Sequence, residues 1–130
     1  MKTKTIRQSV TFRAAPMEVY DALMDSDKHS AFTQSECKIG RKAGERFTAY
    51  DGYCEGENIE LVPGRKIVQA WRASDWPEGH YSKAAFMMAP AKGGTKLSFT
   101  QTGVPQEFAE EISEGWKQHY WEKMRKMLEK

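Results

Sequence analysis

The chain has 130 residues, which is enough for one domain with a substantial hydrophobic core and too few for two. Its 20 basic and 18 acidic residues are interspersed, so no field arises that would attract nucleic acid or an anionic membrane. It has neither an apolar run of the roughly 20 residues that a membrane span needs nor a signal-peptide core at its polar start. We therefore expect one cytoplasmic domain over residues 1–130, with no membrane span and no nucleic-acid partner.

The first quarter of the chain predicts a strand followed by two short helices. Residues 5–12 alternate between apolar and polar types, which is the pattern of a half-buried strand. Pro16 suits the first position of a helix, and apolar residues recur at helical spacing as far as Met24. A second short helix is expected to continue to Phe32.

Six further strands are predicted between residues 37 and 102, joined by turns into an antiparallel meander. The Asp51-Gly52 dipeptide tolerates the positive φ angles of a tight hairpin, and Pro63-Gly64 is a second turn signal. The predicted strands cover residues 37–39, residues 46–50, a segment that ends at residue 62, and residues 66–73, 81–89 and 95–102.

The last quarter of the chain predicts a single uninterrupted helix over residues 105–128. Pro105 suits its first position, and its length would be about 36 Å at 1.5 Å per residue. On a helical wheel of about 100° per residue, one stripe is centred on Ile112. The stripe comprises Phe108, Ile112, Trp116, His119 and Lys123, flanked by Tyr120 and Met127. Gly115 interrupts the helix at a cost of about 1 kcal/mol relative to alanine. A close approach to the sheet, a ligand or a partner would explain it, and close packing is our expectation.

Strands joined by hairpins, with helices segregated before and after them, are typical of an α+β domain. We expect a curved antiparallel sheet of six or seven strands around the long C-terminal helix, with two short helices after the first strand. Such a sheet does not touch the helix along its whole length. An apolar space between sheet and helix is therefore the first candidate for a functional site.

Motifs along nearly the whole chain give it a resemblance to a known family, and the segment from Trp71 to His80 is the most specific of them. The motifs are Pro16 to Leu23, Ala31-Phe32-Thr33, Asp51-Gly52 with Gly56, Leu61-Val62-Pro63, Ile67-Val68, Trp71-Arg72, Trp76-Pro77-Glu78-Gly79-His80, and Gly115-Trp116 followed by Tyr120. The sequence resembles the C-terminal domain of the activator of the ninety-kilodalton heat-shock chaperone ATPase and its single-domain homologues. That family belongs to the helix-grip, START-like superfamily, also called SRPBCC or Bet v I-like.

The resemblance implies the helix-grip fold and makes the ninety-kilodalton heat-shock chaperone a candidate partner. In the two-domain activators a further N-terminal domain precedes this one and makes much of the chaperone contact, whereas this sequence opens with the first strand. The superfamily also contains lipid and hormone carriers and polyketide cyclases. The leading hypothesis is a non-enzymatic domain that binds a small hydrophobic ligand, the chaperone, or both. The alternative is a small cavity enzyme of the polyketide cyclase or dehydratase type.

Apolar residues on the inner faces of sheet and helix are candidates for the lining of a ligand cavity, because such sites are concave and mostly apolar. They are Trp71, Phe86, Phe99, Phe108, Ile112 and Trp116, joined by His119 and Tyr120. These side chains could equally fill the core, and for most of them we favour the core. A strand register shifted by one residue would turn Ala70, Met87 and Met88 inward instead.

His119 is the candidate polar group of the cavity, where it could orient a ligand carbonyl or act as a general base, with Tyr50 and Tyr53 as further polar groups. We favour a structural histidine, bonded to backbone or lying at the edge of the stripe. The histidines and the two cysteines, Cys37 and Cys54, do not recur at the short spacings of zinc ligands, so we expect no metal, no cofactor and reduced thiols.

Two tryptophans lie where exposure is expected, and they are candidates for a partner surface. Trp76 falls on a predicted turn, and Trp121 points opposite to Ile112 on the wheel. Exposed tryptophans supply a large contact area at low entropy cost. The alternative for Trp121 is packing beneath a terminal strand or the short helices, and the two interpretations are evenly balanced.

Overall fold

The computed structural model describes residues 1–129. Its strands are β1 (Thr3–Phe12), β2 (Lys38–Ile39), β3 (Arg46–Ala49), β4 (Cys54–Val62), β5 (Lys66–Ala73), β6 (Ser82–Ala91) and β7 (Gly94–Pro105). Two short helices, α1 (Pro16–Met24) and α2 (Ser26–Thr33), follow β1. The C-terminal helix covers residues 106–128 and consists of a 3-10 turn (Gln106–Phe108), α3 (Ala109–Trp116), a π-helical segment (Lys117–Trp121) and α4 (Glu122–Leu128).

The strands form one antiparallel sheet in the order β1-β7-β6-β5-β4-β3-β2. The strands from β2 to β7 pair with their neighbours in sequence, which is the predicted meander. Strand β1 instead pairs with β7 over most of its length, so the chain must cross from one sheet edge to the other through α1 and α2. The predicted α+β fold, a curved antiparallel sheet around the C-terminal helix, is confirmed.

Aromatic side chains on the inner sheet face pack against the C-terminal helix. Phe86 pairs with Phe99 across β6 and β7, and both are buried together with Trp71. The ring of Trp116 lies 4.5 Å from that of Phe99 and 5.6 Å from that of Trp71, centroid to centroid. Met87 is 46% exposed, so the register shift that would have turned it inward does not occur. Full burial of such side chains contributes about 1.5 to 3 kcal/mol each to folding, and this aromatic group forms the centre of the core.

Pro105 ends β7 instead of opening the helix, so the predicted start of the helix is wrong by one residue. The ladder between β1 and β7 continues to the pair Thr3 and Pro105. Gly103 makes this continuation possible because its φ of +81° lies in the left-handed region that glycine adopts without steric cost. The helix then starts with the 3-10 turn, one residue later than predicted.

Of the two evenly balanced interpretations of Trp121, exposure is wrong and packing beneath the terminal strand β1 is confirmed, and the π-helical segment is the reason. The Glu122 N–H bonds to the Lys117 carbonyl five residues back, so this turn holds one residue more than an α-helical turn. Every later residue is thereby rotated by about 100° relative to a regular helix. The rotation brings Trp121 inward, where it is 5% exposed and its Nε1–H donates to Gln8 Oε1 at 2.6 Å. Met124 is likewise completely buried.

The predicted exposure of Trp76 is also wrong. The loop between β5 and β6 folds inward, so the Trp76 ring meets the Trp71 ring at 5.4 Å and is only 4% exposed. Arg72 holds the loop in this position by donating from Nη2 to the Trp76 carbonyl at 2.9 Å. Neither tryptophan belongs to an exposed partner surface.

Three further observations concern the described residues 1–129. No helix among them is long and apolar enough to cross a membrane. No group of three or more potential metal-ligating side chains occurs in this part of the chain. Cys37 and Cys54 are both buried and carry free thiols.

Candidate functional site

A cleft of about 400 Å³ opens where the β3–β4 hairpin meets the C-terminal helix. It is lined by Ser35, Tyr50, Asp51, Tyr53, Cys54, Trp71, Glu111, Ile112, Gly115, Trp116, His119 and Tyr120. Deeper between sheet and helix, the space that Phe86 and Gln69 help to line is only about 10 Å³, roughly one water molecule. The interior of the grip is therefore filled, and the volume large enough for a ligand lies at its mouth.

A buried polar network holds the floor of the cleft. The Trp116 Nε1–H donates to Gln101 Oε1 at 2.8 Å, and Gln101 Nε2 donates to Ser82 Oγ at 2.9 Å. The Ser82 hydroxyl donates in turn to the Trp71 carbonyl at 2.8 Å. Gln101 alternates inward along β7, as the sequence pattern predicts, and is completely buried. The network thus ties the Trp116 indole ring to the backbone of Trp71.

Tyr120 closes the floor on the other side through a hydrogen bond to His29. The Tyr120 hydroxyl lies 2.9 Å from His29 Nε2, and His29 Nδ1 lies 2.9 Å from the Leu23 carbonyl. Because a carbonyl only accepts, Nδ1 carries the proton and Nε2 accepts from the tyrosine. Burial lowers the pKa of His29 to about 4, so the imidazole is neutral at pH 7. Burial also raises the pKa of the Tyr120 phenol.

The wall opposite the C-terminal helix is a hairpin turn with an unusual backbone. Tyr50 and Asp51 have φ angles of +52° and +57°, and the Gly52 N–H bonds back to the Ala49 carbonyl at 3.1 Å. The predicted hairpin is confirmed, but the positive angles begin one residue before Asp51-Gly52. A left-handed conformation costs a non-glycine residue about 1 to 2 kcal/mol. Bulky residues rarely adopt it.

Hydrogen bonds and ring contacts hold this hairpin turn in place. The Tyr50 hydroxyl donates to the backbone carbonyl of His119 at 2.7 Å, and its ring meets the Tyr120 ring at 5.9 Å. The Glu36 N–H donates to Asp51 Oδ1 at 2.7 Å, and the Asp51 N–H donates to the Glu36 carbonyl at 3.0 Å. The strained turn is thus tied both to the C-terminal helix and to the segment before β2.

Gly115 faces the cleft, so the predicted close packing against the sheet is wrong. A Cβ atom placed there would meet only His119 Cδ2, at 3.9 Å, which is ordinary van der Waals distance. Its φ angle is not positive, so the backbone conformation does not require glycine. What the missing side chain provides at this position is open space inside the cleft.

The cleft brings together five of the eight predicted lining residues, namely Trp71, Ile112, Trp116, His119 and Tyr120. Phe86 faces the small interior space instead. Phe99 is buried beneath Trp116, and Phe108 packs half-buried against the core, so neither lines the cleft.

Asp51, Cys54 and Glu111 also line the cleft, and they were not among the eight predicted lining residues. Tyr50 and Tyr53 had been named only as polar groups of an enzyme. The Asp51-Gly52 dipeptide predicts a turn. This turn was the available signal that Tyr50 and Tyr53, on either side of it, lie at the ends of two strands.

His119 lies at the rim of the cleft and is exposed, so its predicted place in the middle of the stripe is wrong. The π-helical turn moves its side chain to the edge, which was the favoured alternative. Its ring makes an edge contact of 5.7 Å with the Tyr50 ring. None of the side-chain hydrogen bonds within residues 1–129 involves the imidazole, so no carboxylate orients it as a catalytic base.

A model of the family described as "Activator of Hsp90 ATPase homolog 1-like protein" matches residues 13–129. The chain belongs to this family. An activator of 90 kDa heat shock protein ATPase homolog from Dictyostelium discoideum is 36% identical over 124 residues, covering 95% of this chain and 32% of the relative. The human homolog 1 is 32% identical over 112 residues, covering 86% of this chain and 33% of that protein. This family member therefore spans about a third of these curated relatives.

Solved structures share the fold over almost the whole domain. An HSP90 activator from Plasmodium falciparum superposes with a TM-score of 0.90 at 23% identity, covering 96% of both chains. A protein from Chromobacterium violaceum superposes with a TM-score of 0.80 at 27% identity, covering 97% of both chains. At such identities the Plasmodium comparison establishes the fold of this family member and leaves its site to be argued from its own residues.

Proposed function

We propose that this domain is non-enzymatic and acts by binding, as a co-chaperone-like partner of the ninety-kilodalton heat-shock chaperone and as a receptor for a small apolar ligand in the cleft. The ligand role rests on one observation: the helix carries a glycine where the cleft needs room, although its backbone would accept alanine. The chaperone role rests on family membership and on relatives that are named as activators of the chaperone ATPase.

The chaperone role is tested with the two purified proteins. A co-chaperone of this kind binds the chaperone in a calorimetric titration and raises its ATPase rate. Because this chain spans about a third of the curated relatives, binding with little stimulation is compatible with a partial activator. Absence of both effects at high micromolar concentration would overturn the chaperone role. The ligand role would be unaffected, since it is measured without the chaperone.

The ligand role is supported by the volume and chemistry of the cleft. Its 400 Å³ lies within the range of about 300 to 1,000 Å³ that is typical of small-molecule sites. Trp71, Trp116, Tyr120 and Ile112 supply an apolar floor, while Tyr50 and Tyr53 stand at the rim. These side chains are held by the core and by the hairpin turn, so the site is formed before a ligand arrives.

A ligand screen by thermal unfolding tests the ligand role. A compound present at one hundred times its dissociation constant stabilises the folded state by about 2.7 kcal/mol. Native mass spectrometry of the purified protein looks for a carried ligand at the same time. Gly115→Ala should weaken every hit because the added methyl group occupies the cleft, whereas Gln118→Ala, on the exposed side of the same helix, should not. Compounds whose affinity is the same for Gly115→Ala as for the unaltered protein would bind outside the cleft.

The cyclase alternative has weaker support from the polar groups of the cleft. The Tyr50 hydroxyl is already bonded to the His119 carbonyl, and burial raises its pKa. Burial raises the pKa of Tyr53 to about 12, with the Asp75 and Glu111 carboxylates adding to the shift. Both phenols are therefore protonated at pH 7 and unsuited to act as bases. Turnover that is lost in His119→Ala at an unchanged melting temperature would instead favour the enzyme.

A further inference from the structure

The mouth of the cleft is acidic although the chain as a whole is slightly basic. Of the described residues that line it, Asp51 and Glu111 are carboxylates and none is lysine or arginine. The overall composition of 20 basic and 18 acidic residues does not explain this local excess.

Lysines adjacent to the cleft do not neutralise it. Lys117 follows Trp116 along the chain, but its Nζ pairs with Glu114 at 3.4 Å. Lys38 follows Cys37, and its Nζ lies 3.9 Å from Glu36. Each of these cations thus has a carboxylate partner of its own, and among the described residues neither Asp51 nor Glu111 forms an ion pair.

Aromatic rings meet at steep angles around this mouth. Tyr50 and Tyr120 lie 5.9 Å apart at 65°, Trp116 and Tyr120 lie 4.6 Å apart at 47°, and Trp71 and Trp116 lie 5.6 Å apart at 45°. All four rings line the cleft, so each of them borders the same volume. The face of an aromatic ring carries negative quadrupolar charge and attracts organic cations, quaternary ammonium groups above all.

We propose that the cleft binds an organic cation, an amine or quaternary ammonium group carried on an apolar body. The apolar body would lie on the tryptophan floor, and the charged group would lie among the ring faces beneath Asp51 and Glu111. This inference rests on the proposed ligand role and names the class of ligand. An anionic ligand such as a fatty acid is disfavoured, because it would meet two carboxylates with no lysine or arginine among the described lining residues.

The test uses three soluble probes that share a benzene ring and differ in charge: benzyltrimethylammonium, benzyl alcohol and benzenesulfonate. Each is titrated into the whole protein, with tryptophan fluorescence reporting on Trp71 and Trp116 and calorimetry giving the affinity. The double substitution Asp51→Asn with Glu111→Gln removes two charges and keeps the Asp51 acceptor oxygen. Glu110→Gln is the matched control, since Glu110 is an exposed neighbour on the same helix that does not line the cleft.

We expect benzyltrimethylammonium to bind at least tenfold more tightly than benzyl alcohol, and benzenesulfonate not to bind. The double variant should lose about tenfold in affinity for the cation and keep its affinity for the alcohol, while Glu110→Gln changes neither by more than about twofold. Equal affinities for cation and alcohol, or an unchanged cation affinity in the double variant, would overturn this inference and leave the apolar-ligand role standing. Failure of all three probes would count against both.

A quaternary ammonium group occurs in free solutes and in lipid headgroups, and a second arm distinguishes the two sources. Sedimentation with phosphatidylcholine vesicles, reversed by added benzyltrimethylammonium, would identify a lipid headgroup as the source. Binding of the soluble cation without sedimentation would identify a free solute. Sedimentation that the soluble cation does not reverse would place the lipid contact outside the cleft and contradict the inference.

Discussion

Replacing Gly115 by alanine should make the protein more stable and its cleft smaller. Alanine is favoured over glycine in a helix interior by about 1 kcal/mol, because it loses less backbone entropy on folding. Neither a steric clash nor backbone strain offsets this gain in stability. The new Cβ would meet only His119 Cδ2 at 3.9 Å, and the φ angle is one that alanine adopts. The free energy of unfolding in urea should rise by about 1 kcal/mol, and the melting temperature by about 3 to 5 °C.

Gly93→Ala is the matched control for this experiment. It makes the same chemical change in the β6–β7 turn, where φ is +80° and nothing lies within 4 Å of the new Cβ. There the left-handed backbone opposes alanine, so stability should fall by about 1 kcal/mol. A loss of stability in Gly115→Ala as well would refute the reasoning, because it would show that the helix backbone needs glycine for packing. If Gly115→Ala gains stability but keeps its ligand affinity, only the idea that the ligand occupies the space beside Gly115 is refuted.

Three further changes probe the supports of the cleft. Gln101→Leu should lower the free energy of unfolding by about 1 to 3 kcal/mol, because it leaves the buried Trp116 N–H without its acceptor. Tyr50→Phe should cost about 0.5 to 1.5 kcal/mol through loss of the bond to the His119 carbonyl. For His29, the folded pKa of about 4 lies below the unfolded value of 6.5, so the unfolded state binds the proton first as pH falls. The stability it provides is complete above pH 6.5, and about 2 kcal/mol of it should be lost between pH 7 and pH 5.

Urea titrations measure all three changes, and each has its own comparison. Gln106→Leu, at an exposed position, should change stability by less than about 0.5 kcal/mol. If Gln101→Leu is equally mild, the network does not carry the stability assigned to it. If Tyr50→Phe is neutral, the bond to the His119 carbonyl does not hold the strained turn, and the ring contacts and the bonds between Asp51 and Glu36 do. The pH slope should disappear in His29→Gln, and a slope that persists there must come from other groups.

The sheet could be predicted from the sequence because its signals are local and repeated. Alternation placed the inward faces of β6 and β7 correctly, and turn residues separated the strands. Gln101 also lies on the inward face of β7, as its alternation with Phe99 predicts, and it is buried. The ends of elements were less accurate, as Pro105 shows, because pairing with the distant strand β1 extends β7 beyond its predicted end at residue 102.

The cleft was less predictable because it arises between segments that are far apart in sequence. The stripe on the helix gave Ile112 and Trp116, but the hairpin wall came from a turn whose backbone could not be assigned residue by residue. Tyr50 occupies a conformation that its own propensity opposes, and tertiary contacts, among them the bond to the His119 carbonyl and the packed rings, stabilise it there. Local preference favours positive φ angles at Asp51 and Gly52, and the structure extends them to Tyr50 while it keeps the register in which Ala49 pairs with Cys54.

The π-helical segment, Lys117–Trp121, explains why a helical wheel of about 100° per residue assigns the wrong buried residues in the last part of the helix. It also determines which side chains line the cleft. With one extra residue in the turn, Tyr120 moves to the centre of the buried face, and Trp121 and Met124 follow it inward. A regular helix would instead have turned Trp121 outward and kept His119 over the sheet. The irregular turn therefore seals the interior with aromatic rings while it opens the mouth beside Gly115. Segments of this kind are frequent at functional sites, and here one turn of helix separates a filled core from a space that a ligand can enter.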